Sequence, residues 1–344
     1  MSQPEWSPDA RSLLNRLVMI IGESGTGKSF IIKHLMHVLA QHIPQIVVFS
    51  PTNPQNHTYD ANGEVPEPFI HTRVDMRALN DIWDRQEIMR SVYERANDIN
   101  VLRGLFMRIG DPDAVADEKK LKQALNESKE RFQRTYPAGV AEEKSRAQEE
   151  DVKSVLVRLY KAVIGKHAER LKTMPDLSEK ELHAIKYRFF MPRLLIIFDD
   201  CTEQLKAGRG SEIMQRIFYK ARHLFITTIM ACHTDKTFDP ELKKQVFVTI
   251  FTAPECFSTY VDRASNGLDK QQRRNAHVIN ASIFTPTYPN QKLVWDRNKK
   301  TYYRYTAASI PVRFCAPIIR KYAEKAKRRG DDVMEDNKFA SRFS

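Results

Sequence analysis

The sequence predicts an α/β fold, in which a mostly parallel sheet is flanked by helices and interrupted by a long helical insertion. An apolar run over 17–21 is followed by a glycine-rich loop and then by a helical pattern over 30–39. Further short apolar, β-branched runs occur over 46–50, 194–198, 224–231 and 246–251. Because strand–helix–strand units form right-handed parallel crossovers, these runs are expected to pair in one parallel sheet.

The composition indicates a globular protein with a polyanionic partner. The 344 residues are enough for one large or two ordinary domains, and 42% of them are hydrophobic. The four cysteines lie far apart without zinc spacing, which favours reduced thiols in a cytosol-like compartment. No apolar run is long enough to cross a bilayer and no signal peptide is recognisable, so we expect no membrane partner. The net charge of +12 favours binding to a polyanion.

The loop after the first strand has the spacing of a phosphate-binding loop, Gly22-x-x-x-x-Gly27-Lys28-Ser29. Glycines let backbone N–H groups converge on phosphate oxygens, and the following helix adds unpaired donors. Lys28 is expected to reach the β- and γ-phosphates, and the Ser29 hydroxyl to ligate Mg²⁺. A glycine turn that binds nothing is the alternative, but the flanking strand and helix disfavour it. The predicted nucleotide contacts are Gly22, Glu23, Ser24, Gly25, Thr26, Gly27, Lys28 and Ser29.

Two carboxylates follow the apolar run over 194–198 and are predicted at the tip of a buried strand. Asp199 is placed to hold Mg²⁺, directly or through water. Asp200 lies where many ATPases have a glutamate that orients and polarises the attacking water. Glu203 is the second candidate for that role. An acidic turn without function is the alternative for the pair.

Polar residues at the two ends of the strand predicted over 224–231 are further candidates for contact with the γ-phosphate. At its carboxyl end, either His233 or Thr234 could sense the γ-phosphate, and a histidine satisfied within its own loop is the alternative. Arg222 precedes the strand, on the edge away from its own chain's phosphate site. It could project across a subunit interface into a neighbour's site, or it could interact with the C-terminal dipole of its own helix.

The remaining segments complete the predicted domain organisation. Residues 1–16 are expected to form an arm with a short helix, and the core to comprise 17–76 and 190–310. Apolar residues at helical spacing predict a helical insertion over 77–189, either a solvated bundle or a docking arm. A strand is predicted over 276–284 and a hairpin over 292–305. Residues 311–344 are expected to form a basic helix and tail.

Taken together, these motifs resemble the poxvirus-type genome-packaging ATPases of large DNA viruses, within the FtsK–HerA class of DNA-translocating motors. The resemblance covers roughly 15–60 and 190–305. It implies a P-loop NTPase of the additional-strand catalytic-glutamate (ASCE, RecA-like) type, in which an extra strand separates the P-loop strand from the strand that carries Asp199. In this class, Arg222 matches an arginine that acts in trans, and His233 replaces the usual glutamine.

The resemblance also implies the cofactors and partners. These are Mg²⁺-ATP, double-stranded DNA, a homo-oligomeric ring of five or six subunits, and a capsid or portal-vertex protein. The expected location is the viral assembly site in the host cytoplasm, or the virion. Two alternatives stay open: a P-loop kinase acting on a nucleoside or other small substrate, and a scaffold that binds a nucleoside triphosphate without hydrolysing it.

Overall fold

The computed structural model describes residues 3–287, 290–308, 310–314 and 320–321. The chain forms two compact units. The first comprises Met1–Gln86 and Pro192–Ser344, and the second comprises Glu87–Met191. In the described residues, no helix is both long and apolar enough to span a membrane.

The first unit is built on an eight-stranded sheet with the order β3-β2-β4-β5-β1-β6-β7-β8. The first six strands pair in parallel, and β7 and β8 are antiparallel additions at one edge. Strand β5 lies between β4 and β1, which confirms the predicted additional strand. The strand bounds are β1 Leu17–Ile21, β2 Gln45–Phe49, β3 Ile70–His71, β4 Leu194–Phe198, β5 Ile226–Cys232, β6 Val248–Phe251, β7 Lys292–Asp296 and β8 Thr301–Tyr305.

The central strands are almost entirely apolar because helices and loops cover both faces of the sheet. Every residue of β1, β4 and β5 is buried. Alternate residues of β1 belong to two different hydrophobic clusters, with Met19 in one and Ile20 in the other. The sheet is therefore the middle layer of a three-layer core, and its strand ends are the positions where polar groups meet solvent.

The helices of the first unit follow the strands in the manner of α/β proteins. Helix α4 begins in this unit and continues into the second. Short 3₁₀ turns lie at Glu67–Phe69, Ala221–Leu224, Asp235–Thr237 and Ala264–Asn266. The helix bounds are α1 Ala10–Leu13, α2 Lys28–Leu39, α3 Asn53–Asn56, α4 Met76–Ala96, α10 Thr202–Gly208, α11 Glu212–Lys220, α12 Pro240–Lys243, α13 Pro254–Asp262 and α14 Lys270–Ile283.

The second unit is helical throughout its regular structure, in agreement with the predicted helical insertion. It has its own hydrophobic core, in which Phe106 and Tyr160 are almost completely buried. Asp98 and Asp111 cap two of its helices, and Ser178 forms a capping box with Glu181. Its remaining helices are α5 Ile99–Ile109, α6 Pro112–Thr135, α7 Ala138–Lys166, α8 Ala168–Lys172 and α9 Glu179–Tyr187.

The strand predicted over 276–284 is wrong, because this segment belongs to helix α14. A capping box between Asp269 and Gln272 starts the helix. Ala276, Asn280 and Ile283 then recur at helical spacing and are buried. The apolar residues of this stretch therefore form one face of a helix rather than a strand.

Both termini of the first unit contact the sheet where they are described. The backbone N–H of Trp6 donates to the carbonyl of Arg304 at 2.8 Å, so the predicted arm lies along β8. Near the other terminus, Phe314 is fully buried. The basic helix and tail predicted over 311–344 lies outside the described residues, except for 311–314 and 320–321.

Candidate active site

The phosphate-binding loop lies at the carboxyl end of β1, and its glycines are required for two different reasons. Gly25 and Gly27 have φ of +77° and +90°, a conformation that side chains rarely adopt. Gly22 is needed for close packing, since a Cβ atom there would lie 1.7 Å from the Thr252 hydroxyl oxygen. The loop is thus shaped by its own backbone and also by the end of β6.

Lys28 begins helix α2 and is 7% exposed. Its Nζ donates to the carbonyl oxygens of Gly22 at 2.9 Å and Glu23 at 2.8 Å. Burial lowers the pKa of Lys28, while the nearby charges of Asp199 and Asp200 oppose that shift. The ammonium group is therefore fixed at the mouth of the loop rather than extended into solvent.

Ser29 and Asp199, the two residues predicted to hold Mg²⁺, lie next to each other. The Ser29 hydroxyl donates to Asp199 Oδ2 at 3.0 Å, although 170 positions separate the two residues in the chain. Burial raises the pKa of Asp199, against the hydrogen bonds that it accepts from Tyr59 and Ser29. Strand pairing of β4 with β5, and of β5 with β1, delivers both groups to the same sheet edge.

Tyr59 is a contact that the sequence argument missed. It is fully buried, and its hydroxyl donates to Asp199 Oδ2 at 2.7 Å. Burial and the neighbouring Asp199 raise the pKa of Tyr59 well above its ordinary value, so it remains a donor. Its position is set by Asn53, whose side-chain oxygen accepts from the Tyr59 backbone N–H at 3.0 Å. Tyr59 belongs to the loop after β2 and to no recognisable motif, so nothing in the sequence marks it.

Asp200 and His233 are brought together at the tips of β4 and β5. His233 Nε2 and Asp200 Oδ1 are hydrogen-bonded at 2.7 Å. Asp200 adopts φ of +57°, which is uncommon for a residue other than glycine. Glu203 lies on helix α10 and is exposed. Asp200 lines the cavity in front of the phosphate-binding loop, and Glu203 is not among the residues that line it.

Lys292 and Thr252 are two further contacts of the loop that the sequence did not indicate. Lys292 Nζ donates to the Thr26 carbonyl at 3.1 Å and to the Thr252 carbonyl at 3.2 Å. The Thr252 hydroxyl donates to the Thr26 hydroxyl at 2.7 Å. Both residues come from strand ends far along the chain, so no local motif contains them.

Arg222 lies at the opposite edge of the sheet. It is exposed in the 3₁₀ turn that precedes β5, and β5 runs parallel to β1 towards the phosphate-binding loop. Within one chain, Arg222 therefore lies a full strand length away from Lys28.

The residues present fit a nucleoside triphosphate with Mg²⁺. A cavity of about 390 Å³ lies in front of the loop. Magnesium commonly takes one or two protein ligands and completes its shell with phosphates and water, as Ser29 and Asp199 would allow. Within the described residues, no group of three or more histidine, cysteine or carboxylate side chains could hold a metal by itself. The cavity is lined by Ser24, Gly25, Gly27, Lys28, Ser29, Phe30, Thr52, Asn56, Asp199 and Asp200.

The chain is similar over most of its length to proteins of African swine fever virus. It is 31% identical over 328 residues to uncharacterized protein B354L of the Warthog/Namibia isolate, covering 90% of this chain and 87% of that protein. The B354L protein of the Pig/Kenya isolate is 31% identical over 323 residues, covering 90% and 86% respectively. A scan against protein-family models found no match.

Solved structures also match the chain at low identity. The genome packaging NTPase B204 of Sulfolobus turreted icosahedral virus 2, in complex with ATP-gammaS, is 14% identical with a TM-score of 0.39, covering 88% of this chain and all of that one. The plasmid coupling protein TrwB, in complex with a GTP analogue, is 12% identical with a TM-score of 0.36, covering 92% of both chains.

Proposed function

This chain belongs to the same family as African swine fever virus protein B354L, and we propose that it is a Mg²⁺-dependent ATPase that translocates double-stranded DNA. The observation that carries the ATPase proposal is the hydrogen bond of 3.0 Å between Ser29 and Asp199. It joins the phosphate-binding loop to the acidic strand tip at one sheet edge, as hydrolysis of a bound triphosphate requires.

Each residue at this edge has a distinct role in the proposed reaction. Backbone N–H groups of the loop and Lys28 would bind the β- and γ-phosphates, and Ser29 and Asp199 would hold the metal. Bound Mg²⁺ supplies positive charge to the phosphate oxygens. Asp200 would orient the attacking water through the carboxylate oxygen that His233 leaves free, and His233 would respond to the γ-phosphate through its hydrogen bond to Asp200. Asp200 is preferred to Glu203 because it lines the cavity.

The proposal of a motor rests on charge and on the placement of Arg222. A net charge of +12 favours a polyanionic partner such as duplex DNA. Arg222 lies too far from the loop of its own chain to contact a phosphate there, so a catalytic role requires a neighbouring subunit. A homo-oligomeric ring of five or six copies would provide such interfaces. In a large DNA virus, the corresponding task would be packaging of the genome into a preformed capsid, with a capsid or portal-vertex protein as partner.

The decisive experiment measures ATP turnover by the purified chain with Mg²⁺, with and without long duplex DNA. We expect hydrolysis that duplex DNA stimulates. Lys28→Ala should lower it at least about a hundredfold, because the phosphate oxygens lose their buried cation. Lys206→Ala, which removes an exposed lysine of α10, is the matched control and should change little.

Three results would count against this proposal. ATP affinity that is unchanged in Lys28→Ala would remove the phosphate-binding role of the loop. Phosphoryl transfer to an added nucleoside, without DNA stimulation, would favour a kinase. ATP binding without turnover under any of these conditions would leave a scaffold.

A further inference from the structure

A second polar cavity, of about 170 Å³, lies at the amino-terminal edge of the sheet. It is bounded by the segments that enter β1, β5 and β6 and by the end of α11. Strands β1 and β5 run from this cavity to Gly22 and His233. The cavity therefore lies at the opposite end of these strands from the predicted nucleotide site. It is therefore a separate site.

The lining of this cavity is strongly cationic. Arg16, Arg222, Lys244 and Arg297 line it, and no aspartate or glutamate is among the described residues of its wall. Lys244 pairs with Glu241 at 2.6 Å. In the part of the chain that the structure describes, none of the contacts of Arg16, Arg222 and Arg297 is with a carboxylate. Like charges that converge in this way repel each other unless an anion lies among them.

Two of these guanidinium groups are held in place by neutral groups. Arg16 lies over the Phe247 ring, 4.9 Å from its centroid. Arg297 Nε donates to the Val246 carbonyl at 3.1 Å, and its Nη2 donates to the Lys243 carbonyl at 3.3 Å. These contacts fix the planar groups and leave further N–H donors for a ligand, the arrangement in which arginine recognises phosphate well.

An unpaired hydroxyl group in the cavity wall is independent evidence for a ligand. Thr228 lines the cavity and is 1% exposed, and its Oγ1 has no hydrogen-bond partner among the residues that the structure describes. Buried hydroxyl groups are nearly always paired, and an exception calls for an explanation such as a bound ion. A hydroxyl donor beside several cations fits a ligand that carries negative charge and accepts several hydrogen bonds.

We propose that this cavity binds a phosphate group, at a site distinct from the phosphate-binding loop. The volume of about 170 Å³ has room for a tetrahedral phosphate but not for a base pair. The phosphate is either free inorganic phosphate or the terminal phosphate of a nucleotide held by a second copy of the chain. Arg16, Arg222 and Arg297 supply the charge, and Thr228 donates from the floor of the cavity.

The test uses inorganic phosphate as the probe and the full chain carrying Lys28→Ala, so that the phosphate-binding loop contributes little. Calorimetric titration should show one saturable site. Adding Thr228→Val, which preserves the side-chain shape, or Arg297→Gln should weaken binding about tenfold, because each removes a hydrogen bond to a charged ligand. Lys299→Gln is the matched control: it lies in the hairpin turn, is exposed and does not line the cavity. It should change affinity less than about twofold.

Several outcomes would overturn the proposal. One is the absence of saturable phosphate binding. Another is a weakening of phosphate binding by Lys299→Gln equal to that in the cavity variants, because this would indicate general charge attraction. If the binding of duplex DNA depends on Thr228 and Arg297 but inorganic phosphate does not bind, the surface is a DNA contact and the proposal is wrong. Because the calorimetric titration does not require ATP turnover, its failure is distinguishable from failure of the proposed ATPase.

A second measurement separates the two sources of phosphate. With Lys28 intact, Thr228→Val should lower ATP turnover by assembled copies if the cavity takes the terminal phosphate of a neighbour's nucleotide, and inorganic phosphate should then compete. If the ligand is free phosphate, turnover should be unchanged while the calorimetric site remains. Either result supports the site and assigns its ligand.

Discussion

The carboxyl ends and the amino ends of the parallel strands, here called the carboxyl edge and the amino edge of the sheet, differ in charge. They also differ in the chain segments that form them. At the carboxyl edge, acidic and basic groups are paired: Lys28 lies near Asp199 and Asp200, and His233 is bonded to Asp200. At the amino edge, cations converge around a cavity, and the described residues that line it include no carboxylate. The same strands, β1 and β5, connect the two edges, so one parallel sheet separates a mixed-charge site from a cationic one.

This difference explains why the carboxyl edge could be recognised from the sequence. Its groups lie in short motifs directly after buried strands, and parallel strands necessarily bring those motifs together. The groups of the amino edge come from four segments around Arg16, Arg222, Lys244 and Arg297, none of which forms a motif. Charge convergence between distant segments becomes visible only once the strand order is known.

The largest expected effect concerns Arg222, which lies at the amino edge of one subunit and would act at the carboxyl edge of a neighbouring subunit. If Arg222 acts in trans, Arg222→Ala should lower ATP turnover about a thousandfold, because the transferring phosphoryl group loses a positive charge. Mixing these subunits with Asp200→Ala subunits should partly restore activity, since some interfaces would then combine an intact Arg222 with an intact Asp200. Turnover of each variant alone and of the mixture, measured as phosphate release, checks this.

The matched control for that experiment is Lys220→Ala, which removes an exposed cation at the end of α11, two residues from Arg222. It should leave turnover nearly unchanged. If the mixture shows no rescue while sedimentation shows intact assemblies, the trans role of Arg222 is wrong and the two edges act independently.

A smaller effect, about a hundredfold, is expected within the carboxyl edge for Asp200→Asn. This variant should bind ATP with nearly normal affinity, because the loop and Lys28 are intact, but it should hydrolyse ATP slowly. Glu203→Gln removes an exposed carboxylate three residues away and serves as the comparison. Equal or greater loss in Glu203→Gln would transfer the water-orienting role from Asp200 to the helix after β4.

The strands of the sheet and the motifs at their ends could be predicted from the sequence. Most of the side chains that contact those motifs could not. Strands β1, β4 and β5 could be predicted because each combines an apolar run with a local signal. The place of β5 between the other two is what the family resemblance implies. Tyr59, Thr252 and Lys292 were not predicted, since their contacts depend on the folded course of distant segments. The strand predicted over 276–284 was wrong because a short apolar stretch does not by itself distinguish a buried helix face from a strand.

The smallest effect concerns one of those unpredicted groups. Tyr59→Phe removes the hydrogen bond of 2.7 Å that Asp199 Oδ2 accepts, and we expect turnover at neutral pH to fall about fivefold. Asp199 must be ionised to hold the metal, and burial already raises its pKa. Losing a donor that stabilises the ionised form raises that pKa further. As pH falls, the variant should therefore lose activity at a higher pH than the unmodified chain, and it should need more Mg²⁺ for half-maximal turnover.

The pH profile and the Mg²⁺ titration distinguish this effect from general damage to the fold. Tyr136→Phe removes a more exposed tyrosine hydroxyl in the second unit and should move neither the acid limb nor the Mg²⁺ requirement. If Tyr59→Phe lowers turnover by the same factor at every pH and Mg²⁺ concentration, Tyr59 only packs beneath the site. A shifted acid limb instead requires that the tyrosine acts through the charge of Asp199. The carboxyl edge would then depend on a buried donor from the loop after β2, beyond the two motifs that identify it.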